Sequence, residues 1–159
     1  SDTVSVALPF GIMEYLRMGK FRRSKQIVDA KFVGMLAGGS GITPMYRLIC
    51  AALADDEDKT KFALIFANRS EVDILLRNEL EALAKKHPDR FKVAYTLTRP
   101  PPNWSGETGL ITKETIRAYM PPPGGDTLIL CCGPPAMIKT CCKDNLEALG
   151  YNAAQVWDF

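Results

Sequence analysis

The stretch Lys31-Phe32-Val33-Gly34-Met35-Leu36-Ala37-Gly38-Gly39-Ser40-Gly41-Ile42-Thr43-Pro44 reads as a buried strand that ends in a glycine-rich turn and opens directly into a helix. Residues 31–37 form a short apolar run of strand length. Pro44 suits the first helical position, where its missing N–H costs nothing. Glycines at such a turn let the backbone approach an anion, and the helix N-terminus behind them offers free N–H groups and a positive dipole. Glycine-rich turns also serve as plain connections, so the weight of this one depends on what surrounds it.

Outward from it, apolar runs alternate with helical ones. KFALIFA (61–67), FKVAYTL (91–97), DTLILCC (126–132) and QVWDF (155–159) read as further strands. Helices are expected from Pro44 to about Leu53, from Asp73 to Lys86, from Lys113 to Met120 before Pro121-Pro122-Pro123, and from Pro134 to Leu149 before Gly150. This rhythm predicts an α/β fold: a doubly wound, mainly parallel five-stranded sheet with helices on both faces. Ligands in such folds bind at the carboxyl ends of the strands.

A second junction of the same kind is Cys132-Gly133-Pro134-Pro135-Ala136-Met137, where a buried strand meets a helix. Gly-Pro-Pro alone is an ordinary way to leave a strand. Two such junctions at one edge of a parallel sheet face one crevice, and together they outline a nucleotide site.

Residues 1–31 do not share the rhythm. Val4, Val6 and Leu8 alternate as in a strand, Pro9-Phe10-Gly11 turns, and IMEYL reads as another strand before the basic GKFRRSK. Two strands do not make a stable domain, so this segment is expected to be the end of a neighbouring all-β domain and the chain to begin inside a larger protein. It carries six Lys or Arg against three acids, whereas 32–159 is balanced.

Composition excludes several classes. A chain of 159 residues, 47% hydrophobic, has one domain's worth of core. No apolar run approaches the ~20 residues that span a bilayer, and no secretory leader is visible. The five cysteines include the adjacent pairs Cys131-Cys132 and Cys141-Cys142 but no CxxC, which suggests neither a disulfide framework nor a metal site. His87 precedes Pro88 at a helix end and reads as solvated, not as an acid or base. The short basic run lacks the interleaved aromatics that stack nucleic-acid bases.

The segments LAGGSGITPM (36–45), FANRSEVDILLRNEL (66–80), YTLTRPP (95–101) and LCCGPPAMI (130–138), in this order, resemble the nucleotide domain of cytochrome b5 reductases and the related reductase part of plant nitrate reductases. The likeness covers 32–159, while DTVSVALPFG and GKF resemble the end of that family's flavin barrel and its connector. The resemblance therefore divides the chain into 1–31, barrel end and connector, and 32–159, the NAD(P)-binding domain. It implies NAD(H) as cofactor, with NADP(H) left open, and FAD in the intact enzyme, held mainly by a barrel domain not found in this sequence. Gly38, Gly39, Ser40 and Gly41 would face the pyrophosphate. Thr43 and Pro44 would lie near the nicotinamide and flavin. Cys132, in the stretch Gly133, Pro134, Pro135 and Met137, would orient the nicotinamide. Asn68 and Arg69 would lie toward the adenosine. Phe159 would close the flavin side, a core-anchoring role standing equally open, and Trp157 would share that work. Hydride transfer needs donor carbon and acceptor held about 3–3.5 Å apart without water, and no protein acid or base at the donor carbon.

The family likeness further implies an acidic haem protein such as cytochrome b5 as partner, met by Lys20, Arg22, Arg23 and Lys25. It places the parent on the cytoplasmic side, anchored to endoplasmic reticulum or outer mitochondrial membrane through a missing N-terminus. The sequence departs from the family at Thr98, where many NADH-using members carry an acid; Thr98-Arg99 resembles the Ser-Arg pair of NADP-using ferredoxin reductases. An ordinary Rossmann dehydrogenase expects an acid where the second strand ends in Asn68, and no Tyr-x-x-x-Lys pair occurs. A non-catalytic nucleotide-binding module is the remaining rival.

Overall fold

The structure, a computed structural model, describes residues 6–7 and 13–159. Two sheets are present. Strands β1 (Val6–Ala7), β2 (Met13–Tyr15), β3 (Lys20–Arg23) and β4 (Gln26–Asp29) form an antiparallel sheet in chain order. The remainder is α/β: β5 (Phe32–Gly38), α1 (Ile42–Leu53), β6 (Lys61–Asn68), α2 (Arg77–Lys86), β7 (Phe91–Leu97), β8 (Glu107–Thr108), α3 (Lys113–Tyr119), β9 (Thr127–Cys132), α4 (Asp144–Ala148) and β10 (Val156–Asp158).

The larger sheet has the order β10-β9-β5-β6-β7-β8, with every neighbouring pair parallel. It therefore has six strands where the sequence pattern predicts five. The extra strand, β8, is two residues long and lies in a Trp-Ser-Gly loop with no apolar run to announce it.

Alternation along each strand divides the core. Val33, Met35 and Ala37 point to one face and pack with α1 and Leu80 of α2; Leu36, Ile65, Ile129 and Cys131 point to the other and pack with Ile116, Ile138 and Leu146. Helices on both faces thus follow directly from the pattern of buried residues.

Two helices differ from expectation. Of the predicted 73–86, only 77–86 is regular: Glu71–Asp73 is a short 3-10 turn and Leu76 takes a left-handed conformation, φ 56°. His87 caps this helix, and its N–H is bonded to the Leu83 carbonyl. The helix after Pro134 is π-wound over Met137–Lys143 before α4. Widening the turn frees carbonyls, and Asn145 Nδ2 donates to that of Cys141 (2.9 Å) as well as to Ile111 (3.1 Å).

In the basic segment, GKFRRSK is not a bare connector. It forms β3 and its turn, with Arg22 opposite Glu14 and ion-paired to it at 3.2 Å. Met13, Tyr15 and Phe21 are buried in the same core cluster as α1. The Tyr15 hydroxyl donates to buried Asp58, which also accepts from the N–H groups of Met18 and Thr60. Val4, Leu8 and the turn Pro9-Phe10-Gly11 lie outside the described residues. No helix among the described residues is long and apolar enough to cross a membrane.

Candidate functional site

Strands β6 to β8 follow β5 on one side, and β9 and β10 lie on its other side. The strand order reverses between β5 and β9, and the crevice of a doubly wound sheet opens at that reversal. Both strand–helix junctions meet there. Gly39 adopts φ +53°, a left-handed turn, with open space where a side chain would point. Gly41 lies so close to the second junction that a β-carbon would stand 2.1 Å from the Cys132 carbonyl oxygen.

Two cavities follow. One, of about 520 Å³, is lined by Gly38–Gly41, Thr43, Pro44, Arg47, Cys132–Pro134 and Phe159. The other, of about 630 Å³, includes Asn68, Arg69, Asp73, Thr98, Arg99, Leu110, Met137 and Cys141. Gly38, Gly39 and Pro134 line both, so the two are halves of one groove across the strand ends. A dinucleotide is a two-part ligand with a charged middle, and the shared glycines at the start of α1 suit that middle.

The groove brings together almost every residue singled out from the sequence. Pro135 is the exception: exposed at the first helical position, it lines neither half. Trp157 is also corrected. It is 2% exposed in the core, its indole N–H donates to Ala154, and Arg23 stacks over it at 5.9 Å. Phe159 lines the first cavity, packs against the core, and donates its N–H to the Cys131 carbonyl.

Lining residues that the sequence reading did not assign to the site include Arg47, Asp73, Leu110 and Cys141. Arg47 could have been found, since it follows Thr43 and Pro44 by one helical turn. Leu110 could not, because it belongs to the loop after the unforeseen β8.

The polar atoms decide what the groove can do. Asn68 Nδ2, which lines the second cavity, is a buried donor with no partner among the described residues. An orphaned buried donor is costly unless a ligand takes it, and a nucleotide offers many acceptors. Thr43 Oγ1 donates to the Ser40 carbonyl at 3.0 Å, which leaves its lone pairs free to accept. Burial pushes the Cys132 thiol above its usual range, so it remains neutral and polarisable at neutral pH. Among the side chains lining the first cavity, only Arg47 is charged. Among the described residues no trio of His, Cys, Asp or Glu is arranged to hold a metal. The set fits a nicotinamide dinucleotide: backbone amides for the phosphates, an amide donor at one end and, at the other, a half-enclosed chamber whose one charged side chain is Arg47.

Comparison with known proteins agrees with this geometry. Residues 35–143 match the family described as the oxidoreductase NAD-binding domain. The chain is 49% identical over 159 residues to NADH-cytochrome b5 reductase 2 of Xenopus laevis, covering 96% of this chain and 54% of that protein. It is 46% identical over 164 residues to NADH-cytochrome b5 reductase 3 of Rattus norvegicus, covering 99% and 54%. The cytochrome b5 reductase domain of Ulva prolifera nitrate reductase superposes with a TM-score of 0.92 at 40% identity, covering 96% of this chain and 58% of that one. The chain thus spans about half the length of the curated relatives it matches.

Proposed function

Because this chain belongs to the oxidoreductase NAD-binding domains of the cytochrome b5 reductase family, we propose that it holds a reduced pyridine nucleotide along the groove for hydride transfer to FAD on an adjoining barrel domain, and onward to an acidic haem protein. When bound, the nicotinamide supplies the hydride. The chain's own residues bind, align and dry it.

In this reading the backbone N–H groups at Gly38–Gly41 and the start of α1 take the pyrophosphate, and Asn68 Nδ2 finds its acceptor on the adenosine half. Thr43, Pro44 and Cys132 bracket the nicotinamide. The neutral Cys132 thiol fills space and orients the ring without attacking it. Phe159 walls the chamber at the open end, where its backbone is pinned to Cys131. No histidine, aspartate or glutamate side chain is among the residues lining the first cavity, consistent with a transfer that needs no acid or base at the donor carbon.

The carrying observation is the backbone contact of the two strand–helix junctions, Gly41 against Cys132, at the strand reversal. The change from antiparallel to parallel strands beyond Asp29 supports a division at 31/32 between barrel end with connector and nucleotide domain. Five unpaired cysteines support a reducing compartment, such as the cytoplasmic side of a membrane. Of the basic residues proposed to meet the haem protein, Arg22 is engaged by Glu14 and Arg23 by Trp157, so Lys20 and Lys25 are the exposed pair available for steering.

The test is reconstitution. The chain alone should bind NADH yet reduce ferricyanide negligibly, even with free FAD, and gain turnover when joined to a flavin-loaded barrel domain of a relative. Turnover by the chain alone would refute the division of labour; binding without turnover after joining would favour a non-catalytic module.

A further inference from the structure

Resting on the reading of the groove as a pyridine-nucleotide site, we propose that Arg47 makes the nicotinamide chamber select the reduced ring over the oxidised one, by opposing the positive charge that the ring acquires when hydride leaves.

The selection is a matter of charge. NADH and NAD+ share the same adenosine, pyrophosphate and riboses, so contacts to those parts cancel in the ratio of the two affinities. What differs is the ring, which is neutral in NADH and singly positive in NAD+. When the C4–H bond breaks, both its electrons leave with the hydride to form N5–H on the flavin. The ring is left with one positive charge and the flavin gains one negative charge. A cation fixed beside the ring therefore disfavours the spent coenzyme without opposing the reduced one.

Arg47 is placed to be that cation. It stands in α1 one helical turn beyond Thr43 and Pro44, on the same face of the helix. All three line the first cavity together with Cys132 and Phe159. Arg47 is exposed, and among the described residues its guanidinium has no ion-pair or hydrogen-bond partner, whereas Arg17, Arg22, Arg77 and Arg90 are all engaged.

No acidic side chain lines this cavity to offset it. Asp158 precedes Phe159 in the chain, but it is not a lining residue and is ion-paired with Lys143 at 3.0 Å. Asp73, the acid of the groove, lines the other half. The Cys132 thiol is kept neutral by burial, where a thiolate would attract the cationic ring. The first turn of α1, whose Thr43 and Pro44 line the cavity, adds the positive end of its dipole and contains no acid.

Titration of the full chain with NADH, NAD+ and 5′-ADP tests this. At low salt NADH should bind at least about tenfold more tightly than NAD+, and the ratio should shrink as salt rises, because the cation is exposed. Arg47→Gln should lower the ratio by about three- to tenfold and Arg47→Glu should lower it further, while Arg47→Lys should hold it. 5′-ADP has no nicotinamide, so it reports any general loss of attraction for the phosphates, which leaves the ratio unmoved. Similar affinities for NADH and NAD+ in the unmodified chain, or a ratio that neither Arg47→Gln nor Arg47→Glu changes, would overturn the role of Arg47 while leaving the nucleotide site standing. Binding of none of the three ligands would bring down the reading of the groove itself, and the role of Arg47 with it.

Discussion

A β-carbon on Gly41 would meet the carbonyl oxygen of Cys132 at 2.1 Å and its carbonyl carbon at 2.6 Å. The conflict is with backbone, which cannot swing aside. Gly41 has φ −62°, a conformation open to any residue, so glycine is required here for space alone. Gly39 is the converse: φ +53°, with nothing within 4 Å. Gly41→Ala should therefore part the two junctions, costing about 1–3 kcal/mol of stability and weakening nucleotide binding about tenfold or more. Gly39→Ala should cost about 1–2 kcal/mol through its backbone conformation, without parting the junctions. Thermal unfolding and NADH titration of both variants check the pair. A Gly41→Ala protein with unaltered affinity would show that junction contact does not shape the site.

Cys132 is half-buried, and burial raises its thiol pKa. The thiol form is thus held through neutral pH, and thiolate appears only above the usual thiol range. Alkylation of Cys132 by iodoacetamide should be slow at pH 7 and accelerate at alkaline pH. In the intact flavoenzyme, Cys132→Ser should slow flavin reduction by up to about a hundredfold through misplacement, while NADH affinity changes only a few-fold. Stopped-flow reduction kinetics decide it. An unchanged rate would remove Cys132 from the nicotinamide's surroundings.

Why were the two junctions legible from the residues alone, and some elements around them not? Gly38-Gly39-Ser40-Gly41 and Cys132-Gly133-Pro134 announce themselves because strand, turn and helix signals coincide within a dozen residues. The central strands β5, β6 and β9 were legible for a similar reason: each is a mostly apolar run, largely buried on both faces. β8 has two residues and owes its existence to pairing with Thr96 and Leu97, a tertiary cause. The break at Leu76 is likewise invisible, since leucine has no preference for a left-handed turn and is held there by its neighbours. Trp157 and Phe159 look equivalent on alternating strand positions; only the fold shows that the indole is enclosed while the terminal ring reaches the cavity.

Arg77 holds the loop between β7 and β8 from below. Its guanidinium lies 5.8 Å from the Tyr95 ring and 5.6 Å from the Trp104 ring, and it pairs with Glu71 at 2.6 Å and Glu81 at 2.9 Å. Trp104 in turn donates to the Glu107 carbonyl. Exposed ion pairs contribute up to about 1 kcal/mol each, and each cation–ring contact about 0.5–1 kcal/mol. Arg77→Ala should therefore cost about 1–2 kcal/mol and raise hydrogen exchange in residues 98–107. Lysine should rescue little, because it cannot lie flat between two rings. Full rescue by Arg77→Lys would mean that charge alone matters.

All five tyrosines have raised pKa values, for different reasons. Burial raises Tyr15, with its bond to Asp58 adding to the effect; burial also raises Tyr151 and carries Tyr95 to about 12. Hydrogen bonds to Cys50 and Glu107 raise Tyr46 and Tyr119. In each case the fold favours the neutral phenol. The resulting stability is fully present below the unfolded value near pH 10 and is lost as pH rises through the folded values. Phenolate absorbance should therefore lag behind that of free tyrosine and then rise in one step together with loss of the helical circular-dichroism signal. Two substitutions separate the contributions. Among the described residues the buried Tyr95 hydroxyl has no partner, so Tyr95→Phe should be neutral or stabilising by about 1 kcal/mol at pH 7 and should lessen the alkaline loss. The Tyr15 hydroxyl donates to Asp58, which is wholly buried, so Tyr15→Phe should cost about 1–3 kcal/mol by stripping a donor from that carboxylate. Opposite signs for the two phenylalanines are the expected result. Destabilisation by both to the same extent would mean that ring packing, and not the fate of the hydroxyl, governs the two sites.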